Sequence, residues 1–183
     1  MSKHILIYGR RRAGKSTLVR RLLEEITVPV SGFRTRSTER DESGYHSIYL
    51  YPATGETSAR TEENHIGDCN GRQRTVHPEV FDRLGVQYLD AVDPEGIILM
   101  DELGFMEERA DAFRGKVLAA LDGKIPVLAA VKDSTIQSDF LDMVTKHPNA
   151  EVFAITEENR EELYETLLPV VRSWNRSASG TEE

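Results

Sequence analysis

One short stretch constrains the fold of this chain more than any other part of the sequence. Residues 9–17 read GRRRAGKST and match the pattern GxxxxGK[ST]. The apolar run HILIY (4–8) precedes this stretch, and KSTLVRRLLEEI (15–26), with leucines at helical spacing, follows it. A glycine-containing loop between a buried strand and a helix predicts the first strand–helix unit of a parallel sheet.

The same loop contains the residue types that hold phosphate groups. Gly9 lets the chain turn off the strand, Gly14 permits a close approach, and the loop N–H groups and the helix N-terminus attract anions. Lys15 supplies a charge for β- and γ-phosphates, and the Ser16 hydroxyl is placed to ligate Mg²⁺. Thr17 either contacts the α-phosphate or is an ordinary first-turn threonine. We therefore predict that a nucleotide contacts Gly9, Arg10, Arg11, Arg12, Ala13, Gly14, Lys15, Ser16 and Thr17.

Short β-rich runs alternate with helical patterns along the rest of the chain, which indicates an α/β fold. We expect a three-layer sandwich with a mainly parallel central sheet and an added antiparallel strand or hairpin, formed by one domain over residues 1–174. Further strands are predicted at 28–35, 45–51 (the added antiparallel strand), 96–101, 125–131 and 151–155, and helices at 15–26, 78–92, 109–122, 136–147 and 157–174. Residues 52–77 show no clear pattern. The small polar tail, residues 175–183, is predicted to be disordered.

Composition excludes several classes of function. The chain has 23 basic and 31 acidic residues and a net charge of −8, which argues against a general nucleic-acid surface. The longest apolar runs, such as GIILM, are too short to span a bilayer, and the N-terminus lacks the features of a signal peptide. The single cysteine, Cys69, cannot form an internal disulfide. A cytoplasmic protein is expected.

A pair of carboxylates at the end of a predicted core strand complements the loop. Residues 96–102 read GIILMDE, and an apolar run that ends in acidic residues is typical of a central parallel strand. Asp101 is the predicted second Mg²⁺ ligand beside Ser16. Glu102, which should point the other way on an extended chain, is the predicted base that polarises an attacking water, and Lys15 is its catalytic partner.

Several stretches together resemble the THEP-type nucleoside-triphosphatases, a family of small proteins with this phosphate-binding loop. MDELGFME (100–107) resembles the family signature DEIGxME, and GFRTRS (32–37), SGYHSIYLY (43–51) and VFAITEENR (152–160) follow in the family's order. The resemblance implies Mg²⁺-dependent hydrolysis of the terminal phosphate of ATP, GTP and other nucleoside triphosphates, with loose base preference. It also implies that the phosphate and metal ligands are Gly9, Gly14, Lys15, Ser16 and Thr17, and that Asp101 and Glu102 are the metal carboxylate and the base.

The chain departs from this family in three places. Arg11 and Arg12 replace a usual Pro-Gly pair, Phe105 replaces a frequent lysine, and IGDCNGRQRTVHP (66–78) replaces a VGxY stretch. If Arg12 takes the left-handed conformation that suits glycine, its backbone stores about 1 kcal/mol or more of strain. The arginine side chains should point outward and attract the triphosphate.

Other polar residues leave alternatives open. Asn159 and Arg160 either border the base, which the Asn159 amide and the Arg160 guanidinium could contact, or begin a helix that Thr156 caps. An arginine that stabilises the transition state could be any of Arg10, Arg11, Arg12, Arg34, Arg36, Arg109 and Arg160, or none of them. His65 and Cys69 have a spacing that a metal could use, but an incidental role is the simpler interpretation.

Two other functions fit the same loop. A kinase would pass the γ-phosphate to an acceptor held by residues 31–77, a region that contains Arg34, Arg36, Arg60, Arg72 and Arg74. A nucleotide-binding switch would hydrolyse slowly until a protein partner arrives, although the adjacent Asp101 and Glu102 argue against slow turnover.

Overall fold

One mixed sheet of eight strands organises the molecule in the computed structural model, which describes residues 4–71 and 73–175. The strands are β1 (His4–Gly9), β2 (Val30–Ser37), β3 (Tyr45–Pro52), β4 (His65–Asn70), β5 (Gln73–Val76), β6 (Ile97–Leu103), β7 (Val127–Lys132) and β8 (Ala150–Ala154). Their order across the sheet is β5-β4-β3-β2-β6-β7-β1-β8. The strands from β2 to β8 in this order are parallel, whereas β3, β4 and β5 continue the sheet in antiparallel fashion. The predicted mainly parallel sheet with an antiparallel addition is confirmed.

Helices cover both faces of this sheet. They are α1 (Lys15–Leu23), α2 (Pro78–Val80), α3 (Val86–Asp90), α4 (Asp111–Asp122), α5 (Asp139–Thr145) and α6 (Arg160–Trp174), with a π-helical turn (Phe81–Gly85) and a 3₁₀ turn (Phe105–Glu107). Buried side chains of α1 and α6 form the core on one face, and those of α2 to α5 form the core on the other. The predicted three-layer sandwich is therefore confirmed.

Alternating side chains on the central strands build the two cores. Leu6 packs into the core beneath α4 and α5, whereas Ile5 and Ile7 pack against α1 and α6. Successive side chains of a strand point to opposite faces, so a run that is apolar at every position must be covered on both sides. This is why the continuous run HILIY predicts a central strand correctly.

All five predicted helices extend beyond the observed helical segments, and local hydrogen bonds explain the difference for two of them. Helix α5 begins at Asp139 rather than 136 because the Ser138 hydroxyl accepts a hydrogen bond from the N–H of Leu141 at 3.1 Å. A serine in this position satisfies a free N–H of the first turn and so sets the start of the helix. Helix α1 ends at Leu23 rather than 26 because Glu25 and Ile26 donate to carbonyls three residues back, which tightens the last turn.

The stretch without a predicted structure, residues 52–77, contains the hairpin of β4 and β5. Gly71 lies in the turn between the two strands with φ +55°, a conformation that glycine adopts without strain. The first three residues of β5 are exposed, so the strand lacks the apolar alternation by which a strand is recognised.

The C-terminal prediction is only partly within the described ranges. Residues 176–183 of the predicted disordered tail lie outside them, while Asn175 is held against the chain before β2. Its amide oxygen accepts from the N–H of Thr27 at 2.9 Å, and its amide nitrogen donates to the carbonyl of Glu25 at 2.7 Å. In the part of the chain that the structure describes, no helix combines the length and apolar character that crossing a membrane requires.

The sheet order brings the predicted functional segments to one edge. Strand β7 lies between β1, which leads into the glycine-containing loop, and β6, which ends at the two carboxylates. The carboxyl ends of parallel strands meet at the same edge of a sheet, and ligands of open α/β folds bind there. The turn after β8 and the end of β2 reach this edge as well.

Candidate active site

A cavity of about 580 Å³ opens at the carboxyl edge of the parallel strands. Its wall combines the loop after β1, the ends of β2 and β6, and the β4–β5 hairpin. The predicted site residues that line it are Arg11, Arg12, Gly14, Lys15, Ser16, Thr17, Asp101, Glu102 and Arg160. Folding thus gathers most of the predicted site around one space.

Left-handed backbone at two positions shapes the loop. Gly14 has φ +104°, a conformation that favours glycine, and a Cβ atom there would lie 2.8 Å from Nε of Arg160 and displace that side chain. Arg12 has φ +64° and is the single non-glycine residue with positive φ in the described chain. The strain expected at Arg12 is therefore present, and it amounts to about 1 kcal/mol for an L-residue with a Cβ.

The Lys15 ammonium is buried at the centre of the loop. Its Nζ donates to the carbonyl oxygens of Gly9 at 2.7 Å and Arg10 at 2.9 Å, and it lies 3.5 Å from Oε2 of Glu102. The side chain is only 4% exposed. Burying a cation is costly unless acceptors surround it, and here two carbonyls and one carboxylate do so. This arrangement holds the charge at the wall of the cavity.

Gly9, Arg10 and Ala13 serve the loop through their carbonyl groups and do not belong to the cavity wall within the described residues. Besides the two carbonyls that hold Lys15, the carbonyl of Ala13 accepts from Nε of Arg160 at 2.8 Å. The N–H of Ala13 donates to the carbonyl of Arg10 at 3.1 Å and closes a turn. These three predicted nucleotide contacts therefore shape the loop.

Asp101 and Glu102 both line the cavity, which corrects the expectation that their side chains point in opposite directions. The pairing of β6 with β7 shifts register between Asp101 and Leu103, so the regular alternation of an extended strand is interrupted at Glu102. The peptide bond that joins the two acidic residues is cis. Both carboxylates line the cavity that the loop also lines, where Glu102 lies near Lys15 and Asp101 near Arg36.

Burial and nearby cations act on the two carboxylates in opposite senses. Asp101 is 4% exposed, and burial raises its pKa while the Arg36 guanidinium, 3.6 Å away, opposes the shift. Burial likewise raises the pKa of Glu102, and the charge of Lys15 opposes it. Each carboxylate is thus paired with one cation at the edge of a space that could receive further positive charge.

A third acidic side chain, Glu107, lines the cavity but had no role assigned from sequence. It is 2% exposed, and burial raises its pKa to about 8. Its Oε2 accepts a hydrogen bond from the N–H of Gly104 at 3.0 Å. A glutamate three residues after the start of a helical turn is the sequence signal that could have indicated this contact.

Arginines surround the same cavity, but not all of the candidates reach it. Arg36 and Arg74 join Arg11, Arg12 and Arg160 in the lining. Arg10 points to Asp133 at 3.7 Å, and Arg34 donates to the carbonyls of Pro52 and Gly55. Of the remaining candidates, Arg60 and Arg109 stand outside the lining within the described chain, and Arg72 lies outside the described residues.

Comparison with known proteins identifies the family of this chain. The model of the NTPase family matches residues 4–168. The chain belongs to the NTPase family. It is 30% identical over 179 residues to Nucleoside-triphosphatase THEP1 of Methanothermobacter thermautotrophicus, covering 93% of this chain and 97% of the relative. It is 27% identical over 171 residues to the protein of the same name from Thermotoga maritima, covering 92% and 95%. These relatives are named as hydrolases of nucleoside triphosphates.

A solved structure supports the fold assignment. The crystal structure of THEP1 from the hyperthermophile Aquifex aeolicus superposes with a TM-score of 0.70 at 22% sequence identity. The match covers 92% of this chain and 98% of the crystallised one. The NTPase-family chain therefore shares a three-layer α/β fold with that protein.

In this NTPase-family chain the Asn159 amide is used within its own turn. Its oxygen accepts from the N–H of Thr156 at 2.8 Å, and its nitrogen donates to the carbonyl of Ala154 at 2.8 Å. Asn159 does not line the cavity within the described chain, in contrast to its neighbour Arg160. Of the two interpretations open from sequence, the helix start therefore describes Asn159, while Arg160 reaches the phosphate-binding loop.

The donor set near the loop suits a magnesium ion. The Ser16 hydroxyl and the Asp101 carboxylate line the same cavity, and hydroxyl and carboxylate oxygens are the ligands that Mg²⁺ prefers. Asp101 is also only 4% exposed, and its ion pair is with the Arg36 guanidinium at 3.6 Å. A buried carboxylate of this kind gains from a divalent cation, so the residues fit Mg²⁺.

Proposed function

We propose that this protein hydrolyses the terminal phosphate of nucleoside triphosphates in a Mg²⁺-dependent reaction, with loose preference for the base. One observation carries the proposal: the Lys15 ammonium and the Glu102 carboxylate lie 3.5 Å apart in the wall of a cavity that Ser16 and Asp101 also line. Phosphoryl transfer needs a charge on the phosphate, a metal ligand and a group that orients water, and these residues supply all three. The names of the relatives support the same chemistry.

The loop would bind the triphosphate through its N–H groups and Lys15. The Lys15 ammonium now contacts two backbone carbonyls and Glu102, all of which are weaker partners for a cation than a triphosphate is. A bound γ-phosphate would draw Nζ toward its oxygens and away from Glu102. Binding would thereby release the carboxylate for a water molecule.

Glu102 would then orient the attacking water and accept its proton. Burial raises the pKa of Glu102 above that of an ordinary glutamate, which makes its carboxylate a stronger base, while the charge of Lys15 opposes this shift. The side chain is 30% exposed, so water reaches it from the cavity. Attack in line with the leaving diphosphate completes the hydrolysis.

Ser16 and Asp101 would hold Mg²⁺, which when bound would neutralise charge that develops on the phosphate oxygens. Arg36, 3.6 Å from Asp101, would keep that carboxylate oriented at the edge of the cavity. Arg11, Arg12 and Arg160 add positive charge around the entrance and would draw the triphosphate in.

Loose base preference follows from the groups near the loop. Arg160 offers a planar guanidinium, which stacks on any base, whereas the Asn159 amide already bonds to its own turn. The test is phosphate release from ATP, GTP, CTP, UTP and the corresponding diphosphates, each with Mg²⁺ and with EDTA. We expect Mg²⁺-dependent release from all four triphosphates, within about tenfold of one another. Release from a single nucleotide, or without Mg²⁺, would contradict the proposal.

A kinase is the second candidate, because the cavity continues beyond Asp101 along the antiparallel strands. Arg36, Arg40 and Arg74 line this extension, and Arg74 lies 4.8 Å from the centre of the Phe105 ring. Such a basic space could hold an anionic phosphate acceptor. Phosphate release measured alone and with nucleoside monophosphates separates the two: a nucleoside diphosphate formed from the monophosphate in place of free phosphate indicates the kinase.

A further inference from the structure

A cluster of metal-ligating side chains lies outside the nucleotide cavity. One nitrogen of His65, one carboxylate oxygen of Asp68 and one nitrogen of His77 all lie within 4.8 Å of one another. None of the three residues lines the cavity described above. They fall in or beside residues 66–78, the stretch in which the sequence departs from its family.

An irregularity in the sheet brings the first two residues together. Residues three apart on a regular strand point to opposite faces. The pairing of β3 with β4 shifts between Ile48 and Tyr49, so that Gly67 pairs with the first and His65 with the second. The extra residue reverses the alternation, and Nε2 of His65 consequently lies 2.9 Å from Oδ1 of Asp68.

The third residue comes from the start of the next helix. His77 follows β5, and its N–H donates to the carbonyl of Ile66 at 2.9 Å, which ties it to β4. The rings of His65 and His77 have centroids 5.0 Å apart. The three side chains are partly buried, at 22%, 18% and 34% exposure for His65, Asp68 and His77, so an ion could enter from solvent.

Surrounding groups orient the cluster as outer partners orient the ligands of metal sites. Oδ1 of Asp68 accepts from the hydroxyls of Tyr45 at 2.9 Å and Ser47 at 2.6 Å. The Tyr49 ring stacks on the His65 ring with centroids 5.1 Å apart. A Glu79 carboxylate oxygen lies 3.6 Å from Nδ1 of His77, close enough for an electrostatic attraction but too far for a hydrogen bond.

We propose that His65, Asp68 and His77 bind a Zn²⁺ ion that joins strand β4 to the start of helix α2. Two imidazoles and one carboxylate suit zinc, whereas Mg²⁺ prefers oxygen ligands alone. Tetrahedral bonds of about 2.0 Å place ligand atoms about 3.3 Å apart, and the three ligand atoms already lie within 4.8 Å of one another. Water would complete the coordination. The inference goes beyond the proposed hydrolysis and does not depend on it.

The position gives the site a structural role. The opposite face of the β4–β5 hairpin supplies Ile66, Cys69 and Arg74 to the nucleotide cavity. His65 and Cys69, the pair considered from sequence, therefore do not act together: Cys69 belongs to the cavity and His65 to the zinc cluster. An ion bound by His65, Asp68 and His77 would close a short loop and hold the hairpin against α2.

Isothermal titration calorimetry tests the proposal on the full untagged chain, freed of metal with EDTA and kept without nucleotide or Mg²⁺. We expect one Zn²⁺ per chain. His65→Gln, Asp68→Asn and His77→Gln should each weaken binding by about 100-fold or more, since loss of an outer partner alone costs about 10 to 100-fold. Asp68→Asn keeps an oxygen for Tyr45 and Ser47, and urea unfolding without zinc verifies that each variant folds.

Two controls complete the experiment. His147→Gln removes a histidine outside the proposed zinc site, which forms a hydrogen bond with Asp122. Cys69→Ser removes the thiol of the free cysteine. Both should bind Zn²⁺ like the wild type. The proposal is overturned if the wild type binds no Zn²⁺ or if His77→Gln binds Zn²⁺ as tightly as the wild type. It is also overturned if Cys69→Ser no longer binds Zn²⁺.

Discussion

The ammonium of Lys15 lies 3.5 Å from the carboxylate of Glu102, so the predicted phosphate ligand and the predicted base are partners of each other. The contact links the loop after β1 to the end of β6, two strands that β7 separates. A triphosphate that binds Lys15 would therefore change the environment of Glu102 directly. The account of hydrolysis rests on this exchange.

Lys15→Ala should abolish measurable turnover and weaken nucleotide binding. The variant loses the charge that meets the phosphates, and removal of one such stabilising group costs about 10² to 10³ in rate. Steady-state phosphate release and titration with a fluorescent nucleotide analogue measure the two effects. Lys146→Ala is the matched control, because Lys146 is an exposed lysine directly after the end of α5, and it should behave as the wild type does. Unchanged release by Lys15→Ala would refute the assignment.

The activity should fall in acid at a higher pH than an ordinary glutamate would cause. Burial raises the pKa of Glu102 from its usual 4.5, and the residue acts as a base only when ionised. Activity is therefore present above the raised pKa and is lost as the pH falls through it. A profile of kcat/KM against pH measures this limb. A limb at the position of an unperturbed glutamate would argue against a buried base.

Glu107 should make the folded protein less stable as the pH rises. Its pKa is raised from 4.5 to about 8, so the folded chain keeps a proton that the unfolded chain releases in between. This contribution to stability is complete below pH 4.5 and is lost as the pH rises through about 8. Between pH 4.5 and about 8, the free energy of unfolding should fall by about 1.4 kcal/mol per pH unit.

Urea unfolding of wild type and Glu107→Gln across this window measures the effect. Glutamine keeps an oxygen for the Gly104 N–H but cannot titrate, so the variant's curve should be flatter than the wild-type curve. Glu95→Gln, at an exposed position, should retain the wild-type slope. Parallel curves for wild type and Glu107→Gln would show that Glu107 does not bind the proton.

Arg12→Gly should raise KM several-fold at low ionic strength and leave kcat nearly unchanged. The backbone at Arg12 has φ +64°, which glycine adopts without strain, so the loop should keep its shape while its charge falls. Arg12→Asn removes the same charge with a residue that tolerates this conformation and should reproduce the KM change. Loss of kcat with unchanged KM would instead give Arg12 a role in the transition state.

Arg160→Lys should weaken nucleotide binding by roughly fivefold, because a hydrogen bond of this kind contributes about 1 kcal/mol. Nε and Nη2 of Arg160 donate to the carbonyls of Ala13 and Arg12 and so hold the loop from helix α6. A lysine cannot make both contacts in this geometry. Arg172→Lys, in an ion pair with Glu25 at the far end of α6, is the control. Equal binding by wild type and Arg160→Lys would contradict the role.

The sequence predicted the parallel core correctly for a physical reason, and it predicted site residues that the structure brings to one cavity. Continuous apolar runs such as HILIY and GIILM fit only strands covered on both faces. Lys15, Ser16 and Asp101 could be assigned because the loop and the strand end each require particular residue types. The β4–β5 hairpin has no such pattern, since the residues of β5 are mostly exposed.

Details that depend on register and on competing local bonds were beyond sequence reasoning. The shift between Asp101 and Leu103 turns Glu102 into the cavity, and the extra residue in β4 places His65 beside Asp68. The sequence left open whether Asn159 borders the base or begins a helix, because its amide can both donate and accept. Both functions are used within its own turn, a choice that only the folded geometry reveals.

Single-turnover hydrolysis by Glu102→Gln tests the central claim most directly. The wild type, Glu102→Gln and the exposed control Glu95→Gln are each mixed, in excess over ATP, in a buffer that contains Mg²⁺. The rate of phosphate release and the affinity for ATP are measured for each protein. Glu102→Gln should bind ATP about as tightly as the wild type and release phosphate at least about 100-fold more slowly. A rate near that of the wild type and of Glu95→Gln would contradict the assignment of Glu102 as the base.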